Sequence, residues 1–283
     1  MRISEYRSFM KDTVRKIVSE ESDTITDILL SDALGTNRSK MLTMLDKEMD
    51  NIAAEKIVQA VKKLSLGMPL QYILGSCYFY GKKILIGSGC FIPRSDTEIL
   101  AQAALALIGD KSLTFADICA GSGCISLAIA SEKPNTRGYA LELSRKAIEY
   151  AEHNLSSLEN VTVKRFDALD QEDYISLAEQ NDGKMDLILS NPPYIPTEQI
   201  TLLEAQLQYE PETALDGGED GLKFYRDIIR NAPLLLKDDG SILFEVGINQ
   251  SEPVSAMLEL NGYSVAVFKD YGKIDRVVLG KKC

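Results

Sequence analysis

Apolar residues at helical spacing dominate residues 1–75. Tyr6, Phe9, Met10, Val14, Ile17 and Val18 form one stripe, and Ile25, Ile28, Leu29 and Leu34 form a second that stops at Gly35. The pattern predicts further helices over 41–49 and 52–66, the latter carrying Ile57, Val58, Val61 and Leu64, with Gly67 and Pro69 as terminators. From Cys77 the texture becomes short apolar runs around Gly81, which predicts a β-hairpin linker over 76–95. Beyond Asp96 strands and helices alternate. Strands are predicted at 113–119, 137–143, 161–168, 185–190, 241–248, 264–271 and 276–282, and helices at 124–133, 144–155, 221–236 and 252–260. Such alternation predicts a mostly parallel sheet with helices on both faces. The short turn between the last two strands makes that pair antiparallel. The expected organisation is a small helical domain over 1–75, the linker, and an α/β domain over 96–283.

Composition narrows the function classes. The chain has 283 residues and a net charge of −11, from 31 Lys+Arg against 42 Asp+Glu. That balance argues against a broad basic face for gripping nucleic acid. The first residues alternate charged and apolar side chains, unlike a signal or transit peptide. No uncharged apolar stretch approaches the roughly 20 residues of a membrane span. Five cysteines (Cys77, Cys90, Cys119, Cys124, Cys283) without a C-x-x-C pair read as reduced thiols of a cytoplasmic protein. His153 is the only histidine and falls on the polar face of its helix, so histidine-based metal sites and triads are not expected.

Candidate chemistry gathers at strand ends. The first strand of the α/β domain runs through Asp117 into Cys119, Ala120, Gly121, Ser122 and Gly123 and then a helix. Small residues let a ligand approach the backbone, and a helix N-terminus offers free N–H groups. The G-x-G-x-x-G pattern that cradles a pyrophosphate is missing. Glu142 ends the second strand about 20 residues past Gly123, where an acid binds ribose hydroxyls. Turn and acid together favour a nucleoside ligand without a clamped diphosphate over a nicotinamide dinucleotide. Asp167, ending the third strand, is either a third acid on that edge or a helix N-cap. After the fourth strand comes Asn191-Pro192-Pro193-Tyr194. Two prolines stiffen the chain and remove two donors, leaving the Asn191 and Pro192 carbonyls and the Asn191 side chain as acceptors beside an aromatic ring. That corner suits a planar –NH2 group.

N-P-P-Y after the fourth strand and D-x-x-x-G-x-G after the first resemble the class I S-adenosylmethionine-dependent methyltransferases that modify amide or amino nitrogens. The chain more closely resembles the release-factor glutamine methyltransferase family (PrmC/HemK type). That resemblance rests on residues 67–75 (GMPLQYILG), 91–98 (FIPRSDTE), 209–211 (YEP), 215–221 (LDGGEDG) and the D-Y-G…D-R run from Asp270 to Arg276. It implies a Rossmann-like sheet with an antiparallel last strand plus a helical substrate-recognition domain. It also implies methyl transfer from S-adenosylmethionine, leaving S-adenosylhomocysteine, to N5 of the glutamine in the Gly-Gly-Gln motif of class I peptide release factors. By the same resemblance, residues 119–123 line the methionine and ribose, Glu142 holds the ribose, Asp167 and Ala168 flank adenine, and Asp117 and Asn191 also belong to the cofactor site. Asn191, Pro192, Pro193 and Tyr194 receive the glutamine, with Asn191, Pro192 and Tyr194 catalytic. Cys119 stands where relatives often carry glycine, Ser95 where proline is frequent, and Ala168 where some carry an aromatic. The alternative substrates are a ribosomal-protein glutamine and an exocyclic amine of a nucleic-acid base. The latter requires base flipping and usually a basic surface.

Overall fold

The computed structural model describes residues 1–18, 20–180, 184–204 and 206–282; Cys283 lies outside them. The chain divides into two compact units, Met1–Gly75 and Ser76–Cys283.

The first unit holds α1 (Ile3–Arg15), α2 (Ser22–Ala33), α3 (Arg38–Leu42), α4 (Asn51–Ser65) and α5 (Leu70–Leu74). Met10, Val14, Leu29, Leu30, Met41, Ile57 and Leu64 form its core. Asp27 on α2 is buried and satisfied by Arg7 (2.6 and 3.0 Å) and Arg38 (2.8 Å). A buried carboxylate without such partners would be costly. Gly35 follows α2 with a left-handed φ of +59°, as the predicted stop requires. The predicted helix over 41–49 is replaced by the short α3 and a run of turns. The carbonyls of Leu45 and Lys47 there accept from the Ser4 and Ile3 amides at the start of α1, both at 2.9 Å. Satisfying those orphan donors consumes carbonyls that a continuous helix would use internally. Asp50 then caps α4 through Ala53 N at 3.1 Å.

In the second unit, β1 (Ser76–Phe79) and β2 (Lys82–Leu85) form the expected hairpin. Its turn residues, Tyr80 and Gly81, both have positive φ, as a two-residue I′ turn demands. The main sheet contains β3 (Thr114–Ile118), β4 (Arg137–Glu142), β5 (Val161–Arg165), β6 (Met185–Ser190), β7 (Leu236–Glu245), β8 (Tyr263–Lys269) and β9 (Asp275–Lys282), in spatial order β5-β4-β3-β6-β7-β9-β8. Pairs among β3 to β7 are parallel, and β9 runs antiparallel to both its neighbours. Helices α6 (Glu98–Ile108), α7 (Cys124–Glu132), α8 (Arg145–Leu155), α9 (Gln171–Gln180), α10 (Lys223–Leu235) and α11 (Ser251–Leu260) complete the unit. Separate apolar clusters pack around Ile188, Tyr225 and Phe244 and around Phe115, Ile125 and Leu187, matching the doubly buried strands. Helix α9 is absent from the sequence reading. It buries only Tyr174 and Leu177, too short a stripe to stand out. Strand β7 starts at Leu236, earlier than predicted, and ends at Glu245, so residues 246–248 leave the sheet. Among the described residues, no helix is long and apolar enough to cross a membrane.

Candidate active site

Strand order reverses between β3 and β6, and in open α/β sheets ligands bind in the crevice at the carboxyl ends of such strands. A cavity of about 550 Å³ opens there, within the roughly 300–1,000 Å³ of small-molecule sites. Cys119, Ala120, Gly121 and Ser122 line it after β3, with Glu142 after β4, Asp167 and Ala168 after β5, and all of residues 191–194 after β6. Four strands of one edge thus bring most of the predicted site residues together.

The turn after β3 is shaped for backbone access. Gly121 has φ +55°, and a Cβ built on it meets nothing within 4 Å. Cys119 has φ +62°, inside the small left-handed well that L-residues enter at a cost of about 1–2 kcal/mol. Burial raises its thiol pKa well above the ordinary range, so it stays protonated. Asn154 on α8 ties the turn to the hairpin, donating to Ser122 O (2.9 Å) and Leu85 O (3.0 Å). Glu142 accepts from Gly121 N and Ser144 N, each at 2.8 Å. Burial raises its pKa, while the Ser144, Gly121 and Leu143 amides oppose the rise. Each carboxylate oxygen keeps a further lone pair for a ligand hydroxyl.

Two of the expected cofactor residues do not line the cavity. Asp117 is fully buried beneath α7, accepting from Ser126 N (3.1 Å) and Oγ (2.8 Å). Burial pushes its pKa up to about 7. Gly123 has φ +74° and precedes α7, where a Cβ would lie 2.9 Å from Leu155. Asp167 lies two residues beyond the end of β5, and its carboxylate accepts from Leu169 N at 2.9 Å, a local turn bond. Ala168 is buried and its carbonyl accepts from Tyr174 Oη at 3.0 Å.

The 191–194 corner is held from behind by glycines. Ile195 N donates to Leu215 O (2.9 Å), and Gly217 N donates to Ile195 O (2.8 Å). A Cβ at Gly217 would lie 2.7 Å from Tyr194 Cα, and one at Gly221 2.4 Å from Tyr194 O. The glycines of the 215–221 segment therefore allow the close approach that seats Tyr194. Gln250 Nε2 donates to Tyr194 O at 2.9 Å. Burial pushes the Tyr194 phenol up to about 12, so it stays neutral. No described residue donates to the Pro192 carbonyl oxygen.

Sequence reasoning missed several lining residues: Phe91, Thr97, Leu143, Phe166, Leu215 and Phe224. Phe91 and Thr97 lay inside a motif already singled out, and Leu143 and Phe166 each adjoin an acid that had been selected. Leu215 likewise opened the 215–221 motif already singled out, and only Phe224 carried no local signal. Arg94 is the sole cation among the described lining residues, and it is ion-paired to the buried Glu210, which also accepts from Ile92 N at 2.8 Å. Among the described lining residues there is thus no free cation for a phosphate.

This strand order, with the antiparallel β9 and a carboxyl-edge cavity whose one described cation is ion-paired, is that of a class I methyltransferase. The hMettl16 catalytic domain in complex with MAT2A 3'UTR hairpin 6 shares the fold, with TM-score 0.54, 14% identity and 81% of each chain covered. The chain belongs to the release factor glutamine methyltransferase family. The family member from Thermodesulfovibrio yellowstonii is 36% identical, spanning 96% of this chain and 97% of its own. That from Fusobacterium nucleatum is 37% identical over 91% of this chain and 72% of its own. The family profile described as PrmC N-terminal domain matches residues 7–75, and that described as Methyltransferase small domain matches residues 95–210.

Proposed function

We propose that this chain transfers a methyl group from S-adenosylmethionine to N5 of the glutamine in the Gly-Gly-Gln motif of class I peptide release factors, working in the cytoplasm. The observation that carries the reading is the 191–194 corner opening on the same cavity as Glu142 and the Cys119-to-Ser122 turn. The residues present fit the methyl donor. Glu142 offers a two-oxygen acceptor for a ribose diol, open backbone at Gly121 admits the methionine part, and Leu143, Phe166 and Ala168 offer apolar walls for adenine. A cavity with acids and one ion-paired arginine suits a cationic ligand. When bound, that group supplies an electrophilic methyl on a sulfonium.

An amide nitrogen is a poor nucleophile because its lone pair is delocalised. Asn191 Oδ1 and the Pro192 carbonyl accept its two N–H bonds and so aim the nitrogen. Positive charge grows on the nitrogen as its bond to the methyl carbon forms and the carbon–sulfur bond breaks, and both acceptors then bind it more strongly, which lowers the barrier. The now strongly acidic N–H proton passes to water. Tyr194 covers the amide plane, and orientation supplies much of the rest. The helical first unit serves to hold the release factor.

The test is incubation with labelled S-adenosylmethionine and purified release factor, ribosomal protein and DNA in parallel, with Asn191→Ala as control. Label is expected on the release-factor glutamine, and the variant loses transfer while retaining cofactor affinity. Label on another acceptor overturns the substrate, and near-normal turnover of the variant overturns the role of Asn191.

A further inference from the structure

The two ends of an asparagine amide are similar in size and opposite in hydrogen-bonding character. The transfer proposed above, on which this inference rests, needs Oδ1 of Asn191 turned toward the substrate; a flipped amide would set N–H against N–H. Nothing in the 191–194 segment itself selects between them. The geometry points to Thr97 and Glu245 as positioning residues that lock the Asn191 amide with Oδ1 facing the substrate.

Asn191 Nδ2 donates to Thr97 Oγ1 at 3.3 Å. Glu245 neighbours this pair, and Thr97 and Asn191 both favour its ionised form. Thr97 and Glu245 are each only 2% exposed, so water does not substitute for these partners. Glu245 Oε2 has no hydrogen-bond donor among the described residues, leaving the carboxylate short of donors. An ionised carboxylate only accepts. The Thr97 proton therefore goes to Glu245, the Thr97 lone pairs are left for Asn191, and the chain of bonds runs one way, from Asn191 through Thr97 to Glu245. A flipped amide would place Oδ1 against the carboxylate.

Three separate elements make this arrangement. Asn191 follows β6 and Glu245 ends β7, one step past the Ser190–Phe244 pair of these parallel neighbours. Thr97 ends the turn Ser95–Thr97 ahead of α6. The charged and titratable groups around Glu245 act in both directions. Burial raises its pKa to about 7 and Asp96 adds to the rise, while Thr97, Arg276 and Asn191 oppose it. Arg276 on β9 is itself held by Asp270 (3.0 Å) and Asp96 (3.3 Å). Tyr194 is neutral across the relevant range. If Glu245 takes a proton, it becomes able to donate to Thr97, which removes the one-way constraint.

The experiment uses the full chain with release factor and S-adenosylmethionine, comparing Thr97→Val, Thr97→Ser and Glu245→Gln for kcat, KM, cofactor Kd and the pH profile of kcat. Thr97→Val is expected to lower kcat roughly 10-fold, the loss of about one hydrogen bond or its orientation, with cofactor Kd within about twofold. Thr97→Ser, keeping the hydroxyl, restores most of kcat. In the parent chain kcat rises with pH through about 7 as Glu245 ionises, and Glu245→Gln lowers kcat and flattens that rise. Parental kcat in Thr97→Val, equal loss in Thr97→Ser, or cofactor affinity falling in step with kcat overturns the inference. An inactive Asn191→Ala beside a fully active Thr97→Val refutes the positioning alone, whereas an active Asn191→Ala refutes the underlying reading.

Discussion

Gly221 tests how the pocket corner is built. Its φ is +73°, and a Cβ placed on it lies 2.4 Å from Tyr194 O and 2.7 Å from Gln250 Nε2. Left-handed backbone costs an L-residue about 1–2 kcal/mol. Gln250 Nε2 bridges Tyr194 O (2.9 Å) and Gly221 O (3.3 Å), and losing those bonds adds about 1 kcal/mol each. Gly221→Ala should therefore destabilise by about 3–4 kcal/mol. For a unit of this size that lowers the melting temperature by roughly 6–16 °C. Relief of the contact from 2.4 Å to a tolerable 3.0 Å requires Tyr194 O to move by 0.6 Å, and the Asn191 and Pro192 acceptors move with it. A displacement approaching 1 Å costs on the order of a hundredfold in rate, so kcat should fall between tenfold and a hundredfold. Cofactor affinity should change little, because Glu142 and the Cys119-to-Ser122 turn sit on β3 and β4. Thermal melts, single-turnover methylation below the melting range and a cofactor titration measure the three quantities. An unchanged melt with parental kcat would refute the reasoning, as would a cofactor Kd that rises as far as kcat falls.

Two other perturbations separate binding from folding. Glu142→Gln keeps the shape but gives up charge-assisted bonds worth about 1.5–3 kcal/mol; cofactor Kd should rise roughly 10- to 100-fold with kcat at saturation largely kept, as calorimetric titration and initial rates will show. Asp117 has a folded pKa of about 7 against about 3.9 unfolded, so between pH 4 and 7 the folded state holds a proton that the unfolded chain releases. Its contribution therefore destabilises as pH rises through that window, by up to a few kcal/mol, and Asp117→Asn should flatten the difference in urea midpoint between pH 5 and pH 8 relative to the parent chain.

What was legible in the sequence was local. Strand–helix alternation in the second unit followed from apolar runs of sheet length, and Glu142 and 191–194 were placed because a strand end followed by a turn exposes its residues at the carboxyl edge. The hairpin around Gly81 was also legible, since a glycine between two strand-like runs marks a tight turn, whereas Tyr80 as its other positive-φ residue carried no signal. Asp117 looked equivalent to Glu142 on paper. Yet β3 lies in the middle of the sheet, and its acid is directed beneath α7 to Ser126 rather than into the cavity. The residues at 41–49 read as helix by periodicity, but their carbonyls are spent on the exposed amides of α1, a competition no window of sequence contains.

Thr97, Asn191 and Glu245 are far apart in the chain and carry no common motif; only the adjacency of β6 and β7, with the turn before α6 at the same edge, sets them in contact. The tight fit of Gly217 and Gly221 against Tyr194 likewise appears only when the 215–221 segment folds back. The sequence by itself determined which groups this protein can bring to an edge, because hydrophobic period and turn chemistry act over a few residues. Tertiary structure decided which of them face the ligand, because orientation and burial depend on partners supplied by strand order.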